Sequence, residues 1–272
     1  MAEASIEPRE GHGALGAAPF YRAVSDECSV FEHAYRQRLP LLLKGPTGSG
    51  KSRFVEAMAH RLGRPLVTVA CHDETSAVDL LGRYLVRGGD TFWQDGPVTR
   101  AVRQGAILYL DEIAEARPDV VVVIHPLTDH RRTLLIDHHD EVLSAADTFM
   151  LVVSFNPGYQ RGLKELKPST RQRFVALSFD HPGPDLEAEI VVGETGIDPK
   201  TARRLAGLAG KLRKLDHLGL AEVPSTRLLV DAAKLIVSGM APRRACEVAV
   251  VAPLSDDAEV TAALGEVVAL AL

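Results

Sequence analysis

Two stretches of this chain carry residue types whose spacing suits phosphate chemistry. The segment Gly45-Pro46-Thr47-Gly48-Ser49-Gly50-Lys51-Ser52 fits the pattern G-x-x-x-x-G-K-[ST] without a mismatch. Gly48 and Gly50 let the backbone curl so that successive N–H groups point inward at phosphate oxygens. Lys51 brings a compact positive charge for the terminal phosphates, and the Ser52 hydroxyl is a ligand for Mg²⁺. Further along, Ile107–Glu112 (ILYLDE) is an apolar run that ends in two acids. Asp111 at its tip would hold the metal through its water shell, and Glu112 would accept a proton from an attacking water. A pair of carboxylates there costs desolvation, so it gains meaning only from the glycine-rich loop upstream. Together the two stretches imply a site for ATP and Mg²⁺ in which water attacks the terminal phosphoryl group.

Four further side chains belong to the same chemistry if the fold brings them near. Asn156 closes the apolar run Phe149–Asn156 and would bond the γ-phosphate or orient the water, although an Asn before a proline is also an ordinary turn residue. Arg171 and Arg173 follow the next loop and carry the charge that steadies a transferring phosphoryl group. Pointing out of their own subunit, they would reach the nucleotide of a neighbour. Arg227 has a similar claim in its own subunit, although an arginine without context is usually just solvated.

These residues need a scaffold, and the hydrophobic pattern supplies one. Leu39–Gly45 is a continuous apolar run closed by a glycine-rich turn, as a buried parallel strand should be. Pro65–Cys71, Ala106–Leu110, Phe149–Phe155 and Val175–Phe179 read as four more strands, while Ser52–Leu62 has helical spacing. Strands alternating with helices predict an α/β fold with a five-stranded, mostly parallel sheet between helices. Pro118–Pro126 (PDVVVVIHP) is in conflict: β-branched propensity says strand, whereas a proline in the first turn and the alternation of elements say helix. The alternation is preferred. Beyond the break at Asp180–Pro184, spacing such as Leu205, Leu208, Leu212 and Leu215 predicts helices only. The expected organisation is a mobile segment 1–18, a nucleotide-binding domain 19–183 and a small all-α domain 184–272.

Composition narrows the partners. The 272 residues are 46% hydrophobic and carry a net charge of -5 with acids and bases interspersed, a poor match to nucleic acid. The N-terminal stretch is polar and has no apolar core of a secretory signal, and apolar runs such as Val120–Ile124 are far too short to span a membrane. Three scattered cysteines suit a reducing compartment. A cytoplasmic protein is expected.

Taken together, these landmarks resemble the AAA+ ATPases. Gly45–Ser52 is similar to Walker A, Ile107–Glu112 to Walker B, Asn156 to sensor 1, Arg173 to the arginine finger and Arg227 to sensor 2. Within that superfamily the chain resembles the MoxR branch and its CbbQ/NorQ/GvpN group, with wording most similar to CbbQ. The carrying segments are Asp79–Glu112, His125–Glu141 and Ser154–Phe174, the last with the specific NPGYQ element. The resemblance implies a homo-oligomeric ring, usually a hexamer, that couples ATP hydrolysis to remodelling of another protein. CbbQ acts with a von Willebrand A-domain adaptor, CbbO, to strip inhibitory sugar phosphates from Rubisco. NorQ acts with its own such partner in maturing nitric oxide reductase. The alternative from another class is a monomeric kinase or switch built on the same loop, which would have no use for an arginine facing a neighbour.

The family's helix-2 insert would fall at Leu80–Trp93, where Gly88-Gly89 is a reasonable hairpin turn. Tyr84, Leu85, Phe92 and Trp93 would then either grip a polypeptide near the ring axis or cover the core. A second hairpin is implied at Leu134–Val142. His125, His130, His138 and His139 lie close in sequence, but adjacent His138 and His139 in a strand would face opposite ways and the spacing is not zinc-like. A metal there is not expected.

Overall fold

The computed structural model describes residues 18–156, 166–215 and 222–272. The segment read as a mobile N-terminus and the NPGYQ element lie outside the described residues, except Ala18 and the first residue of that element, Asn156. In chain order the first half comprises α1 (Glu27–Arg36), β1 (Leu41–Lys44), α2 (Lys51–Arg61), β2 (Leu66–Ala70), α3 (Ala77–Leu81), β3 (Gly82–Arg87), β4 (Asp90–Asp95), α4 (Pro97–Gln104), β5 (Ile107–Asp111) and α5 (Pro118–Ile124). Then come β6 (Thr133–Ile136), β7 (Glu141–Ser144), β8 (Met150–Phe155), α6 (Pro168–Arg171) and β9 (Val175–Ser178). The remainder is helical: α7 (Pro184–Thr195), α8 (Pro199–Leu212), α9 (Thr226–Val237), α10 (Pro242–Cys246) and α11 (Ala258–Ala271).

Five strands form one sheet in the order β2-β5-β8-β1-β9, and every pairing in it is parallel. Alternation along the central strands divides the core into two layers. Leu42, Leu108, Leu110, Leu151 and Val153 face α4 and α5. Leu41, Leu43, Ile107, Tyr109 and Val152 face α1 and α2, where Phe31, Phe54 and Met58 meet them. Both faces are covered, which is why these strands read as unbroken apolar runs.

The contested run is the helix α5. Val120 and Ile124, one turn apart, are fully buried against the first layer, and Asp119 accepts the Ala77 amide at 3.1 Å. Burial of that stripe outweighs the few tenths of a kcal/mol per residue that β-branching costs a helix.

Two antiparallel hairpins project from this frame. In β3–β4, Tyr84 pairs with Trp93 and Leu85 with Phe92 across a turn in which Gly88 and Gly89 have φ of 64° and 91°. Such positive φ at both turn positions is what a tight right-twisted hairpin requires. The second hairpin is β6–β7. Between its strands, Asp137–His139 is a short 3-10 turn, so His138 and His139 are not in a strand and the opposite-faces argument does not apply to them. Instead, the His139 ring stacks on Trp93 at 4.7 Å and its Nδ1 lies 3.0 Å from the Tyr84 hydroxyl. Trp93 also packs on the core layer, whereas Tyr84 and Phe92 remain largely exposed.

Helices α7 to α11 share a separate core built from Leu205, Leu208, Leu212, Leu229, Val250 and Leu264. A buried ion pair ties α7 to the end of α8. Arg213 donates two bonds to Glu187, at 2.8 and 2.6 Å, and its Nε donates to the Pro224 carbonyl at 2.8 Å.

Candidate nucleotide site

Because β1, β5 and β8 are parallel neighbours, their carboxyl ends open on the same edge, where open α/β sheets bind ligands. β1 leads into Gly45–Gly50 and α2, β5 ends at Asp111 beside Glu112, and β8 ends just before Asn156. Gly50, the residue before α2, has φ of 93°, and Gly48 has φ of 70°. A methyl group at Gly48 would meet the Ser225 Cβ at 2.4 Å, so the loop passes directly under the segment that leads into α9. The loop therefore needs glycine at Gly48 for two reasons, backbone angle and close approach.

Lys51 is almost completely buried beneath this loop. Its ammonium donates to the carbonyls of Gly45 (2.8 Å) and Pro46 (2.9 Å) and to Asn156 Oδ1 (2.8 Å). Burial pulls its pKa down to about 8, Arg227 acts in the same direction, and Asp111 and Glu112 oppose it. The Asn156 amide donates onward to Thr47 Oγ1 and Glu112 Oε1, each at 3.3 Å. Asn156 thus joins the loop, its lysine and the acid in one set of bonds.

Glu112 has φ of 55°, an uncommon left-handed conformation for a residue with a side chain. Its N–H donates to Ser154 Oγ at 3.0 Å, which secures the bend. Such strain recurs at functional sites, where surrounding contacts hold it. Asp111 is tied on both oxygens. Oδ2 accepts from Ser52 Oγ at 3.0 Å, while Oδ1 accepts from the Tyr109 hydroxyl at 2.7 Å and from Ser154 Oγ. Ser52 and Asp111 are hard oxygen donors facing the same space, a set that suits Mg²⁺ rather than a softer metal.

A cleft of about 520 Å³ runs over this site. Beyond Gly48–Ser52, Asp111, Glu112 and Asn156, it is lined by Arg227 from α9. The lining also includes charged side chains such as Arg22, Arg53 and Lys234, and an apolar group of Phe20, Tyr21, Val24, Ile190 and Val230. The tip of the Phe20 ring sits against Gly193 of α7, where a Cβ would come within 2.2 Å of it, and Tyr21 packs on Phe54. Sequence reasoning did not find these apolar wall residues. They sit in a short irregular segment and on two helices remote in sequence, with no motif to mark them.

Arg171 and Arg173 do not join the cleft. Both are exposed at the end of α6, and Arg173 lies 3.7 Å from Asp129, a carboxylate that Arg131 also binds. Those bonds from Arg131 hold Asp129 well below the usual carboxylate range, and burial, with Arg173 acting the same way, lowers the pKa of nearby His125. Among the described residues, no group of three or more His, Cys, Asp or Glu side chains is arranged to hold a metal.

Comparison with known proteins gives this geometry its family. The model of the AAA domain (dynein-related subfamily) matches residues 40–174, and that of the CbbQ/NirQ/NorQ C-terminal region matches residues 187–271. The chain belongs to the CbbQ/NirQ/NorQ family of AAA+ ATPases. It is 59% identical over 260 residues to the NorQ protein of Paracoccus denitrificans, covering 96% of each chain. Identity is 58% over 254 residues to the denitrification regulatory protein NirQ of Pseudomonas aeruginosa, covering 93% of this chain and 98% of that one. It is 55% over 246 residues to the CbbQ protein of Hydrogenophilus thermoluteolus, covering 90% and 92%. A mutant RuvB of Thermotoga maritima has the same fold, with a TM-score of 0.51 and 18% identity over 90% of this chain and 69% of that one. As a member of the CbbQ/NirQ/NorQ family, the protein is an ATPase, which disposes of the kinase alternative. Among its described residues, no helix is long and apolar enough to cross a membrane.

Proposed function

We propose that this CbbQ/NirQ/NorQ-family ATPase works in the cytoplasm as a homo-oligomeric ring, a hexamer by resemblance, that uses ATP hydrolysis to remodel a partner protein. One observation carries the reading. The cleft gathers Lys51, Ser52, Asp111, Glu112, Asn156 and Arg227, while Arg171 and Arg173 stand exposed outside it. With Arg227 in the cleft, a further pair of arginines suited to phosphoryl transfer but held on another surface calls for a second copy of the chain.

In this proposal, the amides of Gly45–Ser52 and the first turn of α2 bind the phosphates. Lys51 exchanges its carbonyl partners for terminal phosphate oxygens, and the apolar side chains of the cleft, Phe20, Tyr21, Ile190 and Val230 among them, receive the base. Ser52 and Asp111 would hold Mg²⁺, which when bound neutralises charge on the phosphates. Asn156 orients the lytic water toward Glu112, already 3.3 Å from it, and Glu112 takes the proton. Arg227 reads the nucleotide in its own subunit, and Arg173, with Arg171 beside it, serves the neighbour's.

For the client, the resemblance suggests Rubisco, served through a von Willebrand A-domain adaptor of the CbbO type. Identities of 59%, 58% and 55% to NorQ, NirQ and CbbQ do not single it out, and they favour a denitrification client as a second reading. Light scattering with and without ATP tests the ring: a mass that stays that of one chain at all nucleotide concentrations removes it. Purified protein with each candidate adaptor then decides the client. ATP-dependent recovery of sugar-phosphate-inhibited Rubisco supports the first reading, and ATP-dependent activation of nitric oxide reductase supports the second.

A further inference from the structure

Tyr109 has no part in the roles assigned above, yet it is the largest fully buried side chain among the described residues. It stands two residues before Asp111 on β5, so both side chains leave the same face of the strand. A buried phenol needs a partner for its proton. Here the partner is Asp111 Oδ1 at 2.7 Å, and the same hydroxyl lies 3.3 Å from Ser52 Oγ. The register of β5 with β8 sets Leu110 opposite Val153, so the next residue on β8, Ser154, comes level with Asp111. Ser154 is fully buried, donates to Asp111 Oδ1 and accepts the Glu112 N–H.

Counting protons defines the arrangement. Tyr109 and Ser154 each have one proton to give, and both go to Oδ1. Oδ2 is left facing Ser52 and the cleft. A carboxylate on the last residue of a strand would otherwise rotate freely about its side-chain bonds. Two hydroxyls on one oxygen restrict it to a single orientation, with Oδ2 as the oxygen presented to a cation.

We infer that Tyr109 and Ser154 are positioning residues for the metal site: their hydroxyls occupy one oxygen of Asp111 so that the other, with Ser52, is preset to receive Mg²⁺. This rests on the proposal that Ser52 and Asp111 hold the ion.

The test measures nucleotide affinity by fluorescence, with a labelled ATP analogue on the full-length protein, as Mg²⁺ is titrated at fixed pH. In Tyr109→Phe and in Ser154→Ala, the Mg²⁺ concentration giving half of the affinity gain should rise about tenfold, equivalent to ~1.4 kcal/mol. Affinity in excess chelator should stay within about twofold of the parent, because the phosphate cradle is untouched. Tyr109→Phe keeps the ring and therefore the packing. If it nevertheless fails to fold, Ser154→Ala carries the test alone. An unchanged Mg²⁺ midpoint in the folded variants overturns the inference. Asp111→Asn separates the two levels: if it shifts the midpoint while the hydroxyl variants do not, only the positioning role is lost. If Asp111→Asn does not shift it either, the metal assignment itself has failed, and the positioning role with it.

Discussion

Two parts of this ATPase carry charges of the kind that suits phosphate chemistry, and they are built in opposite ways. Around the P-loop each polar group is bound by others of the same chain: Lys51 by two carbonyls and Asn156, Asp111 by three hydroxyls, Glu112 by Asn156 and Ser154. At the end of α6, Arg171 and Arg173 are exposed, and Arg173 leans on a carboxylate already engaged by Arg131. The first region is preorganised, which lowers the cost of reorganisation when charge develops. The second is a solvated corner whose charges gain strength only where water is excluded, as at a contact with another copy. Under the proposed ring, the first region would serve its own subunit's nucleotide and the second a neighbour's.

The sharpest way to break that contrast is at the exposed corner. Arg173→Ala should lower kcat on the order of 10³-fold or more while leaving ATP affinity unchanged. Doping such subunits into parent rings should poison their neighbours, and a loss strictly proportional to the dose would mean that the residue acts only within its own subunit. Next in size, Glu112→Gln should bind ATP normally but turn over ~10²–10⁴-fold more slowly. Single-turnover hydrolysis measures this directly, and an unaltered rate removes Glu112 from the mechanism.

Lys51→Ala should act on binding instead. Losing a buried charge-assisted donor, worth ~1.5–3 kcal/mol, should weaken ATP by about 10- to 100-fold in equilibrium titration. Normal affinity in that variant would undo the phosphate-site assignment. The smallest effect concerns His181, in the linker between β9 and α7. Among the described residues neither of its buried ring nitrogens has a hydrogen-bond partner, and burial, then Arg213, pulls its pKa below the usual value. The unfolded chain therefore takes up a proton near pH ~6.5 that the folded chain still refuses. Stability present above that pH is lost as pH falls through the folded pKa, by an amount that grows with the size of the shift. Urea unfolding at a series of pH values should show a shallower loss in His181→Gln than in the parent, and equal slopes would exclude His181 as the source.

Much of this molecule was legible without coordinates because its chemistry is local. The Gly45–Ser52 loop is continuous in sequence, and the apolar run that ends in Asp111-Glu112 is a buried strand whose tip reaches the same cleft. The five apolar runs correspond to the five strands of the sheet: the central β1, β5 and β8 are buried on both faces and lack alternation, whereas the edge strands β2 and β9 are only partly buried. The helix at Pro118–Ile124 was a closer matter, with local propensity opposed by the order of elements, and packing of Val120 and Ile124 resolved it. His139 was misread as a strand residue because a four-residue hairpin connection and a continuing strand look alike in one dimension.

Tertiary structure alone decided which distant residues share the cleft. Phe20, Ile190 and Val230 carry no signal beyond being apolar, and they become a wall only because α7 and α9 close over the P-loop. The role of Tyr109 was half visible, since period-two geometry puts it on the face of Asp111, but Ser154 joined them through a strand register that no spacing within one strand can encode. Sequence determines chemistry where the reacting groups are neighbours along the backbone. Where partners are brought together by parallel strands and packed helices, their distances depend on the burial of hundreds of other atoms, and only the folded chain sets them.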